Sequence, residues 1–205
     1  MSAREALLRE LRAFVADERV LDAIGRVPRE YFVAGRDHRR AYSNRALPIA
    51  CGQTISQPLV VARMCELLEL REGDRVLEVG TGSGYHAAVL AQLAGHVWTI
   101  ETHADLSRGA AAALSSAGIT NVTLVVGDGS AGLPDEAPFD AICVTAAAPP
   151  DALPPLEAQL VAGGRLVAPV ADDGDERLVR SRSSASAVVR EELEPVRFVP
   201  LVRPD

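Results

Sequence analysis

The stretch Val76-Leu-Glu-Val-Gly80-Thr-Gly-Ser-Gly84-Tyr-His86 holds the densest set of residues able to do chemistry. An apolar run leads into an acid and then into glycines at alternate positions. Glycine removes Cβ where a chain turns sharply or where a ligand lies against the backbone. The segment therefore reads as a strand ending in a ligand-facing turn, followed by the start of a helix. Its spacing is G-x-G-x-G rather than the G-x-G-x-x-G of dinucleotide sites, and Gly80, Gly82, Ser83 and Gly84 are the candidate cofactor contacts. Glu101 lies 17 residues after Gly84, at the end of the next apolar run. A carboxylate there can accept both hydroxyls of an adenosyl ribose; a solvated strand-end acid is the plain alternative. Glu78 falls on a strand that must be mostly buried, where a carboxylate is costly unless hydrogen-bonded or paired. It can organise the turn beside a cationic ligand group, or simply accept from loop amides. Asp128-Gly129 closes a third apolar run. Asp128 can accept from an adenine amino group, with Gly129 allowing close approach, or the pair can form an ordinary Asp-Gly turn. Thr145, at the end of a fourth run, can face the reacting centre.

The rest of the inventory excludes more than it offers. All 21 basic residues are arginine. Without lysine there is no Schiff base, no lysine base and no P-loop lysine. Cys51, Cys65 and Cys143 are odd in number and widely spaced, and His38, His86, His96 and His103 are scattered; no metal site is expected. The net charge of −7 is spread along the chain, so no nucleic-acid or anionic-membrane partner is expected. No apolar run approaches the ~20 residues of a membrane span, and the first residues carry no secretory pattern. The expected location is the cytoplasm.

These residues need elements to hold them. Leu7, Leu8, Leu11, Phe14 and Val15 share one helical face, and Val20, Leu21, Ile24 and Val27 share another. A third helix runs from Pro58 to about Leu70, with Val61, Met64, Leu67 and Leu68 inward; Ser56 can cap it and Pro58 suits its first turn. After Gly73, strands at 75–79, 96–101, 122–126, 141–144 and 165–170 alternate with helices at 87–93, 104–117 and 151–160. Such alternation predicts a parallel sheet covered on both faces. Residues 177–182, 187–192 and 196–202 alternate as antiparallel strands closing one edge. One domain is expected, with residues 1–72 as an N-terminal helical layer and 73–205 as the core.

The glycine turn resembles the first motif of S-adenosylmethionine-dependent methyltransferases. Further segments, in order, resemble the bacterial type of protein-L-isoaspartate (D-aspartate) O-methyltransferase. They are Val27-Pro-Arg-Glu-Tyr-Phe-Val33, Ala46 to Pro58 with Gln53-Thr-Ile-Ser56 at its heart, Gly127-Asp-Gly129, Thr145-Ala-Ala-Ala-Pro149, Gly163 to Val170, and Val196 to Val202. The resemblance covers nearly the whole chain, and Gln53-Thr-Ile-Ser56 is its most specific part. It implies an α/β, Rossmann-like class I fold: a mostly parallel central sheet, helices on both faces, an N-terminal helical layer and antiparallel C-terminal strands. It also implies S-adenosyl-L-methionine as cofactor and isoaspartyl-containing proteins and peptides as substrates; a monomer is expected. The implied reaction methylates the free α-carboxylate of an isoaspartyl residue, and the ester then collapses to a succinimide. A carboxylate with a pKa near ~4 is ionised at neutral pH and needs no general base. What remains is alignment and exclusion of water.

By the same resemblance Ser56 is the active-site serine that orients the substrate carboxylate, not a nucleophile, while Thr54 and Ile55 fold over the cofactor. On local sequence alone a helix N-cap is the better account of Ser56; the family signature reverses that preference, and the two roles are compatible. Cys51 and Leu59 depart from the family pattern beside the signature, which bears on substrate preference. Arg36, Arg39, Arg40 and Arg45 can meet peptide carboxylates or form a solvated loop. The nearest rival is a carboxyl methyltransferase of the same fold that tailors one dedicated biosynthetic peptide. A nucleic-acid methyltransferase would need a basic face and an element to hold a flipped base, and Thr145-Ala-Ala-Ala-Pro-Pro150 supplies neither.

Overall fold

The computed structural model describes residues 1–202. Its N-terminal layer contains helices α1 (Ala3–Leu11), α2 (Glu18–Arg26) and α3 (Pro58–Leu68), with a two-stranded antiparallel ribbon, β1 (Leu47–Pro48) and β2 (Thr54–Ile55), before α3. The core alternates β3 (Arg75–Val79), α4 (Tyr85–Leu90), β4 (His96–Glu101), α5 (Ala104–Ser116), β5 (Val122–Val126), β6 (Phe139–Val144), α6 (Leu153–Glu157), β7 (Leu160–Asp172), β8 (Asp175–Ser183) and β9 (Val188–Pro195). The seven strands lie in the order β5-β4-β3-β6-β7-β8-β9. Pairings from β5 through β7 are parallel; β7-β8 and β8-β9 are antiparallel. The expected Rossmann-like architecture is thus present, mixed only at the β8–β9 edge.

Alternation along the strands splits the core. Val76, Val97, Ala141, Cys143 and Val167 face the N-terminal helices, packing with Leu11, Leu21, Ile24, Val61, Met64 and Leu68. Leu77, Val79, Ile100, Ile142, Val144 and Leu166 face the other way, onto Leu153 and Leu156 of α6. Strand side chains point alternately to opposite faces, so parallel strands buried on both sides read as continuous apolar runs.

Three expectations need correction. Residues 151–160 do not form one helix: a 3₁₀ turn at Pro150–Ala152 leads into the five-residue α6. Pro154 and Pro155 are tolerated only in a first turn, which leaves little length before β7. Residues 196–202 are not a third antiparallel strand. They turn back over the sheet, where Ala147 N–H donates to the Val199 carbonyl at 2.8 Å and Leu201 N–H to the Ala147 carbonyl at 2.8 Å, a single parallel bridge between Ala147 and Pro200. Phe14 lies beyond α1 and is 60% exposed, off the buried stripe of Leu7, Leu11 and Val15.

Candidate active site

The chain order reverses at β3, whose neighbours are β4 and β6. Open parallel sheets bind ligands beyond the carboxyl ends of strands at such a reversal. Register places Val79 beside both Ile100 and Val144. Gly80, Glu101 and Thr145, the next residues on the three strands, therefore meet at one edge. A cleft of about 750 Å³, measured out to open solvent, lies over them. Its walls come from the glycine turn, Glu101 to His103, Gly129, Thr145-Ala146, Gln53 to Ser56 and Val199 to Val202.

The cofactor half is organised by Glu101, which is 7% exposed. Gly82 N–H donates to Glu101 Oε2 at 2.8 Å and His103 N–H to Oε1 at 3.0 Å. Each oxygen has a second lone pair, so the carboxylate is held by backbone and can still accept from a ribose diol. Ile100 and Gly129 supply an apolar wall beside it. A Cβ at Gly129 would lie 2.7 Å from Val79 Cγ1 and 2.9 Å from Ile100 Cγ2. This acceptor set, turn and wall fit an adenosyl group.

The glycines differ in what they do. Gly80 has φ +99°, and a Cβ there would lie 2.5 Å from Thr145 Oγ1. Gly82 has φ +53° and only Ile49 nearby at 3.7 Å. Gly84 starts α4, and its absent Cβ admits Ala110 of α5, which a Cβ would meet at 3.0 Å. Gly80, Gly82 and Ser83 line the cleft, whereas Gly84 serves helix packing.

Several other residues sit differently from their sequence-based roles. Glu78 is fully buried and absent from the cleft wall. Thr99 Oγ1 donates to Glu78 Oε2 at 2.5 Å, and Thr81 Oγ1 lies 2.6 Å from Thr99 Oγ1. With one proton per hydroxyl, Thr81 must donate to Thr99. Glu78 thus reaches the glycine turn only through two threonines, because a β3 residue next to Val79 points to the opposite face. Burial pushes its carboxyl up to about 8, with the Thr99 hydrogen bond opposing. Asp128 caps its own turn, accepting from Ser130 N–H at 2.8 Å and Ser130 Oγ at 2.9 Å; only its neighbour Gly129 reaches the wall. Thr145 lines the cleft, but its hydroxyl donates to the Gly80 carbonyl at 2.5 Å, with the Val79 carbonyl at 3.1 Å. With its only proton committed to the turn, the Thr145 hydroxyl has no donor left for a carboxylate.

The opposite wall is the Gln53–Ser56 segment. Ile49 N–H donates to the Gln53 carbonyl at 2.9 Å and ties it into the small ribbon. Helix α3 takes Gln57 as its N-cap, with no side-chain cap, and Pro58 in its first turn. The orphan Leu59 N–H is satisfied from a distance by Asn44 Oδ1 at 3.0 Å. Ser56 is therefore not the cap, and its hydroxyl makes no hydrogen bond within the described residues. It lies on the cofactor cleft and also on a second groove lined by Ala46, Thr54, Gln57, Val60 and 195–198. Thr54 and Ile55 line the cleft beside it. Sequence reasoning missed the Val199–Val202 wall, though Pro200 inside that apolar run argues against a sheet strand. Of the four loop arginines, Arg36 and Arg40 pair with Asp37. Among the described residues no group of three or more His, Cys, Asp and Glu side chains is placed to hold a metal, and no helix is long and apolar enough to cross a membrane.

Comparison with known proteins bears on this geometry. Residues 2–205 match the family model described as Protein-L-isoaspartate(D-aspartate) O-methyltransferase (PCMT). The protein-L-isoaspartate O-methyltransferase of Koribacter versatilis is 50% identical over 188 residues, covering 92% of this chain and 84% of its own. That of Parvibaculum lavamentivorans is 52% identical over 195 residues, covering 93% and 87%. A solved protein-L-isoaspartate O-methyltransferase superposes with a TM-score of 0.86 at 28% identity; the match covers 96% of this chain and 65% of that one. A beta-aspartate methyltransferase from Plasmodium falciparum, solved in complex with S-adenosyl-L-homocysteine, shares the fold with a TM-score of 0.83 at 24% identity. An S-adenosylmethionine-type cleft, the Gln53–Ser56 wall facing it and a family match over almost the whole length agree, and the chain belongs to the protein-L-isoaspartate (D-aspartate) O-methyltransferase family.

Proposed function

We propose that the two clefts meeting at Ser56 divide the labour of the family's reaction. That reaction is methyl transfer from S-adenosyl-L-methionine to isoaspartyl residues of proteins and peptides, which initiates their repair. The cofactor supplies a methyl group made electrophilic by its sulfonium centre. Glu101 and the glycine turn hold the adenosyl end, and Gly129 and Ile100 flank the base. Glu78, Thr99 and Thr81 hold the turn from below. The substrate peptide lies along the groove formed by Val60, Pro195 and Phe198. Its free carboxylate reaches Ser56, whose hydroxyl donates a hydrogen bond and aims one oxygen across the boundary between the clefts. The C-terminal segment and Ile55 exclude water. No general base is needed for an ionised nucleophile, and none is positioned in this assignment.

The observation carrying this reading is that Ser56, whose hydroxyl is uncommitted among the described residues, lines both clefts beside Thr54. The test is transfer of labelled methyl to matched peptides containing isoaspartate or normal aspartate, followed by mass spectrometry through ester decay. Transfer to the isoaspartyl peptide alone, with succinimide appearing afterwards, is the expected result. Cofactor binding without transfer to either peptide would point to a dedicated peptide substrate.

A further inference from the structure

We propose that Arg29 is a positioning residue for methyl transfer: a buried guanidinium that fixes Ser56 from behind and couples it to the start of helix α4. The proposal rests on the reading of Ser56 as the group that orients the substrate carboxylate. Arg29 lies on a 3₁₀ turn at Arg29–Phe32 and has no exposed surface. Its Nε donates to the Ala41 carbonyl at 2.8 Å and its Nη2 to the Ser56 carbonyl at 3.0 Å. The guanidinium carbon sits 4.5 Å from the centroid of the Tyr85 ring. Tyr85 is the first residue of α4, directly after Gly84 of the glycine turn. One side chain thus joins the N-terminal layer, the Ser56 segment and the cofactor turn.

Two features argue that this is more than packing. A buried cation normally has an acidic partner, because removing a charge from water carries a penalty of several kcal/mol. Among the described residues no carboxylate pairs with Arg29; carbonyl dipoles and an aromatic face take that place. Ser56 also falls between the end of β2 and the first residues of α3, outside both hydrogen-bond ladders. No backbone amide reaches its carbonyl among the described residues, so Arg29 is what fixes that peptide. An apolar side chain would fill the space at lower cost but could not hold the carbonyl. A lysine would keep the charge and lose the planar fork that reaches two carbonyls at once.

The experiment is a double-mutant cycle. Arg29→Lys and Arg29→Met are made alone and together with Ser56→Ala. For each, kcat and KM for an isoaspartyl peptide, the Kd for S-adenosylhomocysteine and thermal unfolding are measured. Arg29→Lys is expected to lower kcat/KM about tenfold and Arg29→Met further, with homocysteine-product affinity within about twofold. With Ser56 already truncated, the same changes should cost under about threefold, because the two residues act as one unit. Equal losses with and without Ser56 would overturn the proposal and leave the Ser56 reading standing. A Ser56→Ala variant at the parent rate would sink the Ser56 reading, and this proposal with it. If neither Arg29 variant unfolds cooperatively, Arg29 belongs to the core and the proposal falls.

Discussion

The two sides of the cleft should separate under single substitutions, because the proposal gives Ser56 and Glu101 different partners. On the proposed roles, Ser56→Ala removes one donor to the substrate carboxylate and nothing from the cofactor. A hydrogen bond to a charged group is worth about 1.5–3 kcal/mol, so kcat/KM should fall by roughly 10- to 100-fold. Affinity for S-adenosylhomocysteine should stay within about twofold, since no cofactor hydrogen bond is removed. Glu101→Ala should do the reverse: cofactor Kd rises by roughly 10- to 100-fold as the diol loses its acceptor and the Gly82 and His103 amides lose theirs. Isothermal titration beside steady-state kinetics checks both, and parallel losses in the two variants would sink the division of roles. The glycines offer a sharper contrast. Gly82→Ala meets Ile49 at an ordinary contact distance of 3.7 Å and carries the left-handed backbone penalty of about 1–2 kcal/mol. Gly80→Ala drives a methyl into Thr145 Oγ1 at 2.5 Å and breaks the bonds that hydroxyl makes. Urea unfolding should show Gly80→Ala as the costlier by roughly 1–3 kcal/mol.

Among the elements, α3 has the most consequential end. Its cap comes from Asn44, which also donates to Glu10 Oε1 at 2.7 Å and so ties α1 to the start of α3. Asn44→Ala should lower unfolding free energy by about 1 kcal/mol, the usual worth of a cap. The residual fall in kcat should exceed any change in cofactor affinity, because the loosened turn is the one that carries Ser56. Chemical denaturation and kinetics of that variant test the point, and full stability would place the capping elsewhere. This cap also marks where sequence reading stops. The apolar runs of β3, β4 and β6 and the alternate glycines are local signals, so the sheet, the turn and Glu101 at its strand end were legible. The Gln53-Thr-Ile-Ser56 signature pointed to Ser56 through family likeness. Pairings across long separations leave no local trace. Nothing near Ser56 announces that a residue 12 positions earlier caps the helix, and the serine looked like the cap itself. Glu78 was correctly read as buried, but only the three-dimensional register sets it on Thr99 rather than on the ligand. The C-terminal run was misread because period-2 alternation does not say whether a segment joins an edge or folds back across strand ends.

At the scale of the whole molecule, the sheet's helical face carries a buried polar layer directly beneath the site: Glu78, Thr99, Thr81, His86, Cys65 and Cys143. His86 Nε2 lies 3.4 Å from Cys65 Sγ and 3.8 Å from Cys143 Sγ. Burial pushes the His86 imidazole from 6.5 down to about 3 and the Glu78 carboxyl from 4.5 up to about 8. These shifts act on stability with opposite signs. The unfolded chain binds more protons at His86 between about pH 3 and 6.5, so that residue makes stability rise with pH there. The folded chain binds more at Glu78 between about pH 4.5 and 8, so that residue makes stability fall with pH. Between 4.5 and 6.5 the two slopes oppose each other. Below 4.5 the carboxylates held low by arginines, Glu157 beside Arg190 and Glu69 beside Arg182, add to the acid loss. From 6.5 to 8 Glu78 acts without His86, before the buried thiols enter above their ordinary 9. Denaturation free energies taken across pH should therefore decline over that alkaline window in the parent protein. Glu78→Gln, which keeps an acceptor for Thr99 and cannot ionise, should flatten the decline and let the rise from His86 show across 4.5–6.5, opposed only just above 4.5 by Glu176, whose carboxyl burial also raises. An unchanged decline in that variant would mean that Glu78 ionises in the folded protein as readily as in the unfolded chain, and that the layer beneath the glycine turn is wetter than its burial implies.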